Sequence, residues 1–156
     1  MADGSVERVR AALLDSGHAD TVSAFPEGTR TAADAAAAVG CTVAQIAKSI
    51  IFRAGSRAVL VIASGANRVD TKKAAAALGV SLSRADADFV REKTGFAIGG
   101  VSPVGLTEPA LLLIDEDLMA LDPVWAAAGS PSHVFQTTPA ELLRMTKARI
   151  ANIKAE

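Results

Sequence analysis

Two short stretches of the sequence carry residue types that can do chemistry on an acyl or phosphate group. Lys48 stands where a run of Ile and Phe begins, so its ammonium either reaches solvent along its aliphatic stem or is held partly buried for a purpose. The segment 97–105, AIGGVSPVG, holds three glycines and a proline and no charged residue. Glycines let backbone amides approach a ligand closely, and adjacent amides can stabilise an oxyanion or orient a water. Taken alone, each stretch is more typical of a surface lysine or a tight turn.

Motifs for other chemistries are missing from the sequence. No Gly-Lys-Ser/Thr follows the glycines of 95–100, and no GxGxxG opens a helix after a strand, so neither a P-loop nor a Rossmann site is predicted. Two histidines, His18 and His133, and the single Cys41 cannot form a convincing zinc cluster. A catalytic triad can be drawn on paper from Ser102, His133 and an acid, but no GxSxG elbow is present. We therefore expect no metal and no cofactor.

The bulk properties indicate a single soluble domain over residues 1–156. Half of the 156 residues are hydrophobic and 21% are charged, which is a globular composition. The lone cysteine excludes an internal disulfide and fits a reducing compartment. No long apolar stretch follows the N-terminal charges, and the longest apolar runs, at 58–63 and 110–114, are too short to span a bilayer. We expect a cytoplasmic location and no membrane partner.

Charge is distributed unevenly along the chain, although the net charge is only −1. From Lys48 to Lys93 there are nine basic and four acidic residues, whereas 94–143 has no Lys or Arg and six acids. The last thirteen residues have four basic residues and one acidic. A basic middle can hold a polyanion on one face without making the whole molecule basic, although such charges are also common on ordinary solvated faces.

Periodicity and turn residues predict short helices mixed with strands, and a mixed sheet rather than strict βαβ alternation. Strands are predicted at 21–25, 111–118, 132–137 and 148–153, and a hairpin is predicted from 47–54 and 57–64 around Gly55-Ser56. Helices are predicted over 5–15, from a Thr31 cap to Gly40, from an Asp70 cap to Leu78, within 85–95 and from a Thr138 cap. The fold class is therefore α/β (α+β).

Five segments occur in a characteristic order and spacing. They are QIAKSIIF (45–52), ASGANRVDTKK (63–73), GFAIGGVSPVG (95–105), LLLIDEDL (111–118) and AAGSPSHVFQTTPAELLRMT (127–146). Together they resemble the YbaK/EbsC family, the prolyl-tRNA synthetase-associated or INS-like editing domains, over about residues 20–153. The resemblance implies a central mixed, partly barrel-like β-sheet surrounded by short helices.

The resemblance also implies an activity. Members are mostly aminoacyl-tRNA deacylases, which hydrolyse the ester joining a wrong amino acid to a tRNA, often tRNA-Pro carrying alanine, cysteine, serine or threonine. Lys48 matches the lysine that the family requires for activity, and the Gly99–Pro103 segment, with Gly100 and Ser102, matches its G-x-x-x-P loop around the ester. Some relatives have glycine at the Ser102 position, so its side chain would narrow the pocket or add a hydrogen bond. His133 falls where some members have a pocket histidine.

Further candidates follow from the same resemblance. Cys41, Thr42, Ser64 and Gly65 are expected near the substrate, and Arg68, Lys72 and Lys73 are expected to contact phosphates of the acceptor stem. The implied partners are the tRNA acceptor end and prolyl-tRNA synthetase. A free-standing protein of this length would edit in trans and most simply remove a small amino acid such as alanine. Two alternatives stay open, namely a non-catalytic module that binds tRNA or a synthetase, and a hydrolase of small esters or thioesters.

Overall fold

The computed structural model describes residues 4–24 and 31–156. Within these ranges there are five α-helices, eight β-strands and two short 3-10 helices, at Val43–Gln45 and Glu116–Ala120. The α-helices are α1 Ser5–Asp15, α2 Ala32–Val39, α3 Thr71–Leu78, α4 Ala87–Thr94 and α5 Pro139–Thr146. The strands are β1 Val22–Ala24, β2 Ile46–Ala54, β3 Arg57–Ser64, β4 Ser83–Arg84, β5 Leu111–Asp115, β6 Val124–Ala127, β7 His133–Thr137 and β8 Arg149–Ala151.

The helices begin at the polar residues that the sequence marks as caps. Thr31 and Asp34 form a reciprocal capping box at α2, because the Thr31 side chain accepts from the Asp34 amide and the Asp34 carboxylate accepts from the Thr31 amide. The Asp70 carboxylate accepts from two amides in the first turn of α3, and the Asp86 and Thr138 side chains each accept from one at α4 and α5. The predicted helix positions are therefore confirmed.

One mixed sheet contains all eight strands, in the order β1-β7-β6-β2-β3-β5-β8, with β4 also pairing with β2. The β2–β3 hairpin is antiparallel, from Ala54 opposite Arg57 to Ala47 opposite Ser64. Parallel pairs join β2 to β6, β3 to β5 and β5 to β8. The predicted hairpin and mixed α/β sheet are confirmed.

The central strand β3 is covered on both faces. Its alternate residues Leu60 and Ile62 belong to a large core cluster with Phe96 and Phe135, while Val59 and Val61 belong to a second cluster on the opposite face. Side chains of a strand alternate between the two faces, so a strand buried on both sides has a continuous apolar sequence. This explains the run AVLVIA at 58–63 and holds the neighbouring strand β2 in a fixed position.

The strands differ from the sequence-based prediction in several details, which include the short strand β4 at Ser83–Arg84, which was not predicted, and the predicted strand 148–153, which ends at Ala151. Strand β6, at Val124–Ala127, was not predicted, because its four residues gain their regular structure from pairing with β2 and β7. The predicted strand 111–118 ends at Asp115, where the chain turns into the 3-10 helix Glu116–Ala120. The predicted strand 21–25 is present at Val22–Ala24, and residue 25 lies outside the described residues.

Across 4–24 and 31–156, the structure contains no helix that combines the length and apolar character required to cross a membrane.

Candidate functional site

One edge of strand β2 is only partly paired with other strands, and the candidate site lies beside the unpaired part, which we call the gap. On its other edge, β2 pairs with β3 along eight residues. On the gap edge it pairs with β6 only at Ile46 and Ala47, and with β4 only at Phe52 and Arg53. Between these two pairings, no described strand covers residues 48–51. A sheet interrupted in this way leaves an opening lined by strand backbone, and the loops 95–105 and 128–132 approach it.

A cavity of about 250 Å³ opens at the β6 end of this gap, and we call it the lysine cavity. Helix α2, strands β2 and β6 and the loops around Gly99 and Ser130 supply its walls. Small side chains of α2 and β6 make much of the surface, while Lys48 and His133 are its ionisable residues. The lining residues are Thr31, Ala32, Ala35, Ile46, Ala47, Lys48, Ser49, Gly99, Val101, Trp125, Ala126, Ala127, Ser130, Pro131, His133 and Val134.

Lys48 is the cation of this cavity. Burial lowers the pKa of its ammonium, and the Arg68 guanidinium lowers it further, while the nearby Asp115 carboxylate acts in the opposite direction. The ammonium donates no hydrogen bond to any residue in the described ranges. A partly desolvated cation attracts an anion more strongly than one in bulk water does. Lys48 can therefore bind a phosphate or polarise a carbonyl oxygen.

The glycine segment supplies a backbone wall. Gly99 lines the cavity with a φ of 95°, a conformation that favours glycine, and a Cβ there would lie 3.6 Å from Pro131. Gly100 is buried against the next loop, because a Cβ on it would lie 2.7 Å from the Cα of Ser130. The two loops are thus in backbone contact at the mouth of the cavity. Gly99 leaves backbone surface accessible to a ligand, whereas Gly100 is required by packing.

Ser102 and Pro103 lie behind this wall. The Ser102 side chain is fully buried, and its Oγ accepts a hydrogen bond from the Val104 amide at 3.1 Å. Pro103 lines a separate groove together with residues of 104–110. Neither residue lines the lysine cavity, so the structure gives both a role in shaping the loop from the inside.

The Arg8 side chain forms hydrogen bonds with both ends of the glycine segment, a role that the sequence analysis did not predict. Its guanidinium donates to the carbonyl oxygens of Gly95 and Gly105, each at 2.7 Å, and lies 4.4 Å from the centroid of the buried Phe96 ring. These contacts span 97 and 87 positions of sequence. Nothing local in helix α1 distinguishes Arg8 from an ordinary surface arginine, so only the tertiary structure identifies it.

His133 begins strand β7 and lines the cavity opposite Lys48's strand. Its Nδ1 is hydrogen-bonded to the Ser130 hydroxyl at 2.6 Å, and its backbone amide donates to the Ser130 carbonyl oxygen at 3.3 Å. Because Nδ1 is engaged in this bond, Nε2 is the ring nitrogen available to a ligand. The Ser130 contacts fix the orientation of the imidazole within the loop.

The loop after β3 contains Ser64 and Gly65 and is held by a buried carboxylate. Asp115 is fully buried, and its carboxylate accepts hydrogen bonds from the amides of Ser64 and Asp117 and from the Asn67 side chain, at 2.8–3.0 Å. The Ser64 hydroxyl donates to the Ala44 carbonyl oxygen at 2.7 Å. Neither Ser64 nor Gly65 lines the lysine cavity, and Asp115 was not among the predicted site residues.

Cys41 and Thr42 also lie outside the lysine cavity. Burial raises the pKa of the Cys41 thiol, and its Sγ donates to the Thr42 carbonyl oxygen at 3.3 Å. Thr42 is exposed and is bonded to the Gln45 side chain through its amide and hydroxyl. The raised pKa lowers the fraction of nucleophilic thiolate at Cys41, and both residues contribute to the connection between α2 and β2.

The three predicted phosphate ligands differ in their surroundings. Arg68 and Lys72 are exposed, and Arg68 is close enough to Lys48 to influence its pKa. Lys73 instead donates to the Lys154 carbonyl oxygen at 2.8 Å and pairs with the Glu156 carboxylate at 3.3 Å. Of the three, Arg68 is the one whose charge acts on the cavity cation. Within the described ranges, no group of three or more metal-ligating side chains comes together.

Comparison with known proteins shows which family this chain is similar to. The family model of the aminoacyl-tRNA editing domain matches residues 26–145. The protein YwhH of Bacillus subtilis (strain 168) is 30% identical over 147 residues, which are 94% of each chain. The proline–tRNA ligase of Desulforamulus reducens is 31% identical over 133 residues, which cover 78% of this chain but only 23% of the ligase.

A solved structure, described as that of a candidate trans-editing enzyme for prolyl-tRNA synthetase, is 44% identical with a TM-score of 0.93, and the match covers all of both chains. The predicted fold and resemblance are thereby confirmed. Because the family model spans the gap in β2, the loop wall and His133 alike, the chain belongs to the aminoacyl-tRNA editing domain family.

Proposed function

We propose that this protein is a trans-editing deacylase that hydrolyses the ester of a mischarged tRNA, and that residues 1–156 act as one editing domain in the cytoplasm. The observation that carries the proposal is the lysine cavity itself. A partly buried ammonium without a described hydrogen-bond acceptor lines the same cavity as the Gly99 backbone, in a chain of the editing family. An aminoacyl ester is already activated, so its hydrolysis needs positioning and charge stabilisation more than a strong nucleophile.

In this mechanism Lys48 binds the terminal phosphate or the acyl carbonyl oxygen. Backbone amides of the Gly99 segment hold the carbonyl oxygen or the attacking water. The water oxygen bonds to the acyl carbon, the bond from that carbon to the ribose oxygen breaks, and the ribose oxygen takes up a proton. The products are the free amino acid and the uncharged tRNA. His133, with its orientation fixed by Ser130, contacts the acyl group or the water from the opposite wall.

The cavity favours a small amino acid. Its volume is about 250 Å³, and alanines from α2, β2 and β6 line it. A cavity of this kind excludes larger side chains by size, although it distinguishes substrates that differ by one methylene only weakly. We therefore propose alanine as the first candidate, with cysteine, serine and threonine as the others. The similarities to a proline–tRNA ligase and to a candidate trans-editing enzyme support tRNA-Pro as the carrier.

The experiment is hydrolysis of a panel of mischarged tRNAs by the wild type and by Lys48→Ala. We expect Lys48→Ala to lower kcat on the best substrate by about 100- to 1,000-fold, as for the loss of one preorganised stabilising group. Lys154→Ala is the matched control, because Lys154 is exposed, does not line the cavity and is not one of the predicted phosphate ligands. That control should change the rate by less than about threefold.

Three results would contradict the proposal. Full activity of Lys48→Ala would mean that the cavity is not the catalytic site. Binding of tRNA with no turnover across the panel would favour the non-catalytic binding module. Hydrolysis of free esters at a rate unaffected by salt or by competing tRNA would favour a small-ester hydrolase, because binding to tRNA phosphates depends on salt.

A further inference from the structure

A second cavity opens along the same gap in β2, toward β4. Its volume is about 230 Å³, and we call it the outer cavity. It shares Ser49, Gly99 and Val101 with the lysine cavity, so the two adjoin across these residues. Together they reach the range of about 300–1,000 Å³ that is typical of small-molecule sites. The lining residues of the outer cavity are Ser49, Ile50, Ile51, Ala85, Val90, Ile98, Gly99 and Val101.

The Ser49 hydroxyl lies on the boundary between the two cavities. Its Oγ is the only buried side-chain nitrogen or oxygen without a hydrogen-bond partner in the part of the chain that the structure describes. A buried hydroxyl without a partner is unfavourable, and such groups are uncommon in folded proteins. Ser49 lines both cavities, and a rotation about its χ1 would turn the buried hydroxyl toward a ligand that extended from one cavity into the other, which would supply the missing hydrogen bond.

The walls of the outer cavity suit an uncharged ring. Among the residues that the structure describes, no ionisable side chain lines it, and most of its surface is aliphatic. Ile98 stands at its edge with 59% of its surface exposed, although it is a large apolar residue. A planar base can bury one face against aliphatic side chains, while the polar atoms at its edges keep their hydrogen bonds to water.

Cations flank the outer cavity. Arg84 directly precedes the lining residue Ala85, and Arg91 directly follows the lining residue Val90. The Arg53 guanidinium lies 4.4 Å from the centroid of the Phe89 ring, next to Val90 in sequence. Such a rim attracts the phosphates of an incoming strand.

Helix α4 also carries acids beside this rim. The Asp86 carboxylate is engaged as the helix cap, where it accepts from the Phe89 amide, whereas Asp88 and Glu92 are exposed. These acids keep the surface from being strongly basic. We therefore expect apolar contact with the base to contribute more to the affinity here than phosphate binding does.

We infer that the outer cavity binds the base of the 3′-terminal adenosine of the tRNA, while the aminoacyl group occupies the lysine cavity and the ribose lies beside the Ser49 hydroxyl. This inference rests on the proposed function, since it assigns parts of the same substrate. The lysine cavity contains the cation that can hold the ester, whereas the outer cavity is lined mainly by aliphatic side chains and fits the uncharged base.

A double-mutant cycle tests the assignment by combining Ile98→Ala with removal of the terminal base. Aminoacylated acceptor minihelices are prepared with the normal terminal adenosine or with an abasic ribose at that position. We expect Ile98→Ala to raise KM for the normal substrate by about tenfold and to change kcat by less than about twofold, because the base contact is made equally in the ground and transition states. On the abasic substrate, Ile98→Ala should have no further effect.

Leu14→Ala is the matched control, because Leu14 is 58% exposed, close to the value for Ile98, and lines neither cavity. It should leave KM unchanged with both substrates. If Ile98→Ala loses stability, a measurement on the wild type replaces it, namely nuclear Overhauser effects between the Ile98 methyl groups and the adenine protons of a bound CCA trinucleotide. Their presence supports the inference and their absence overturns it.

The two proposals fail in different ways. If the wild type deacylates the normal minihelix and the effects of Ile98→Ala and base removal are simply additive, the base assignment is wrong and the proposed deacylase stands. If the wild type deacylates nothing in the panel, the proposed deacylase is wrong. The same cycle is then measured on the Kd of uncharged minihelices, where additive effects again overturn the base assignment and coupled effects support it.

Discussion

Two loops near the site, at 64–67 and 95–105, contain glycines that were both expected to contact substrate, Gly65 and Gly99, and the structure places these two glycines differently. A Cβ on Gly65 would overlap the Val43 carbonyl oxygen and lie 2.9 Å from the Ala32 Cβ. Gly99 has only Pro131 near its missing side chain, at 3.6 Å, and it lines both cavities. Position 65 therefore requires a glycine because other residues pack against it, whereas the glycine at position 99 leaves the backbone accessible to a ligand.

The hydrogen bonding of the two segments differs in the same way. The first segment is held by the buried Asp115 carboxylate, which accepts from the Ser64 amide and the Asn67 side chain. The second is fastened at its ends by Arg8, and its middle faces the cavities. A glycine in a loop thus indicates that another group approaches the backbone closely, but the sequence does not show whether that group belongs to the protein or to a ligand.

The largest expected effect comes from removing the carboxylate beneath the first segment. Asp115→Ala leaves the amides of Ser64 and Asp117 without their acceptor, each of which costs about 1–3 kcal/mol, and removes one of the two acceptors of the Asn67 side chain, so we expect the free energy of unfolding to fall by about 2–6 kcal/mol. Urea denaturation measures this change. Glu116→Ala is the matched control, because that neighbouring carboxylate is exposed and should contribute under about 1 kcal/mol. Equal losses in the two variants would show that the segment does not depend on Asp115.

The next prediction compares the two glycines directly. Gly65→Ala forces a methyl group against the Val43 carbonyl and should lower the free energy of unfolding by about 1–3 kcal/mol. Gly99→Ala has space for the methyl group but is held at a φ of 95°, so we expect its main effect to be a loss of about tenfold or more in kcat/KM, measured on mischarged tRNA. If Gly99→Ala retains full activity, the backbone of the second segment is not part of the site.

Much of the fold could be predicted because its signals are local. Thr31 and Asp34 lie three residues apart and form a capping box, and the β2–β3 hairpin is marked by a glycine between two β-branched runs. Strands β4 and β6 have two and four residues and gain their conformation from pairing partners distant in sequence. Sequence reasoning does not detect such strands, because their stabilisation is non-local.

The candidate site shows the same difference between features with local signals and features that depend on distant contacts. Lys48, Gly99 and His133 were predicted, and all three line the lysine cavity. Arg8 and Asp115 were not, because they act through contacts with residues 48 or more positions away. The sequence analysis named three groups that line the cavity, but it missed the groups that hold the site in place. It also named residues that do not line the cavity, namely Cys41, Thr42, Ser64, Gly65, Gly100, Ser102 and Pro103.

The smallest expected effect concerns two serines on adjacent strands, whose substitution by alanine should change the free energy of unfolding in opposite directions. The Ser64 hydroxyl donates to the Ala44 carbonyl oxygen at 2.7 Å, so Ser64→Ala should lower the free energy of unfolding by about 1 kcal/mol. The Ser49 hydroxyl is buried without a partner, so Ser49→Ala removes an unfavourable group and should raise the free energy of unfolding by about 1 kcal/mol.

If the Ser49 hydroxyl bonds to the ribose, the same Ser49→Ala substitution should also raise KM several-fold, by about the effect of one hydrogen bond. Ser64→Ala should leave KM unchanged, because Ser64 lines neither cavity. Urea denaturation and deacylation kinetics on the same two variants measure both effects. A Ser49→Ala variant that is less stable than the wild type would mean that the hydroxyl has a partner within the protein, and the reason to place a ligand between the two cavities would be lost.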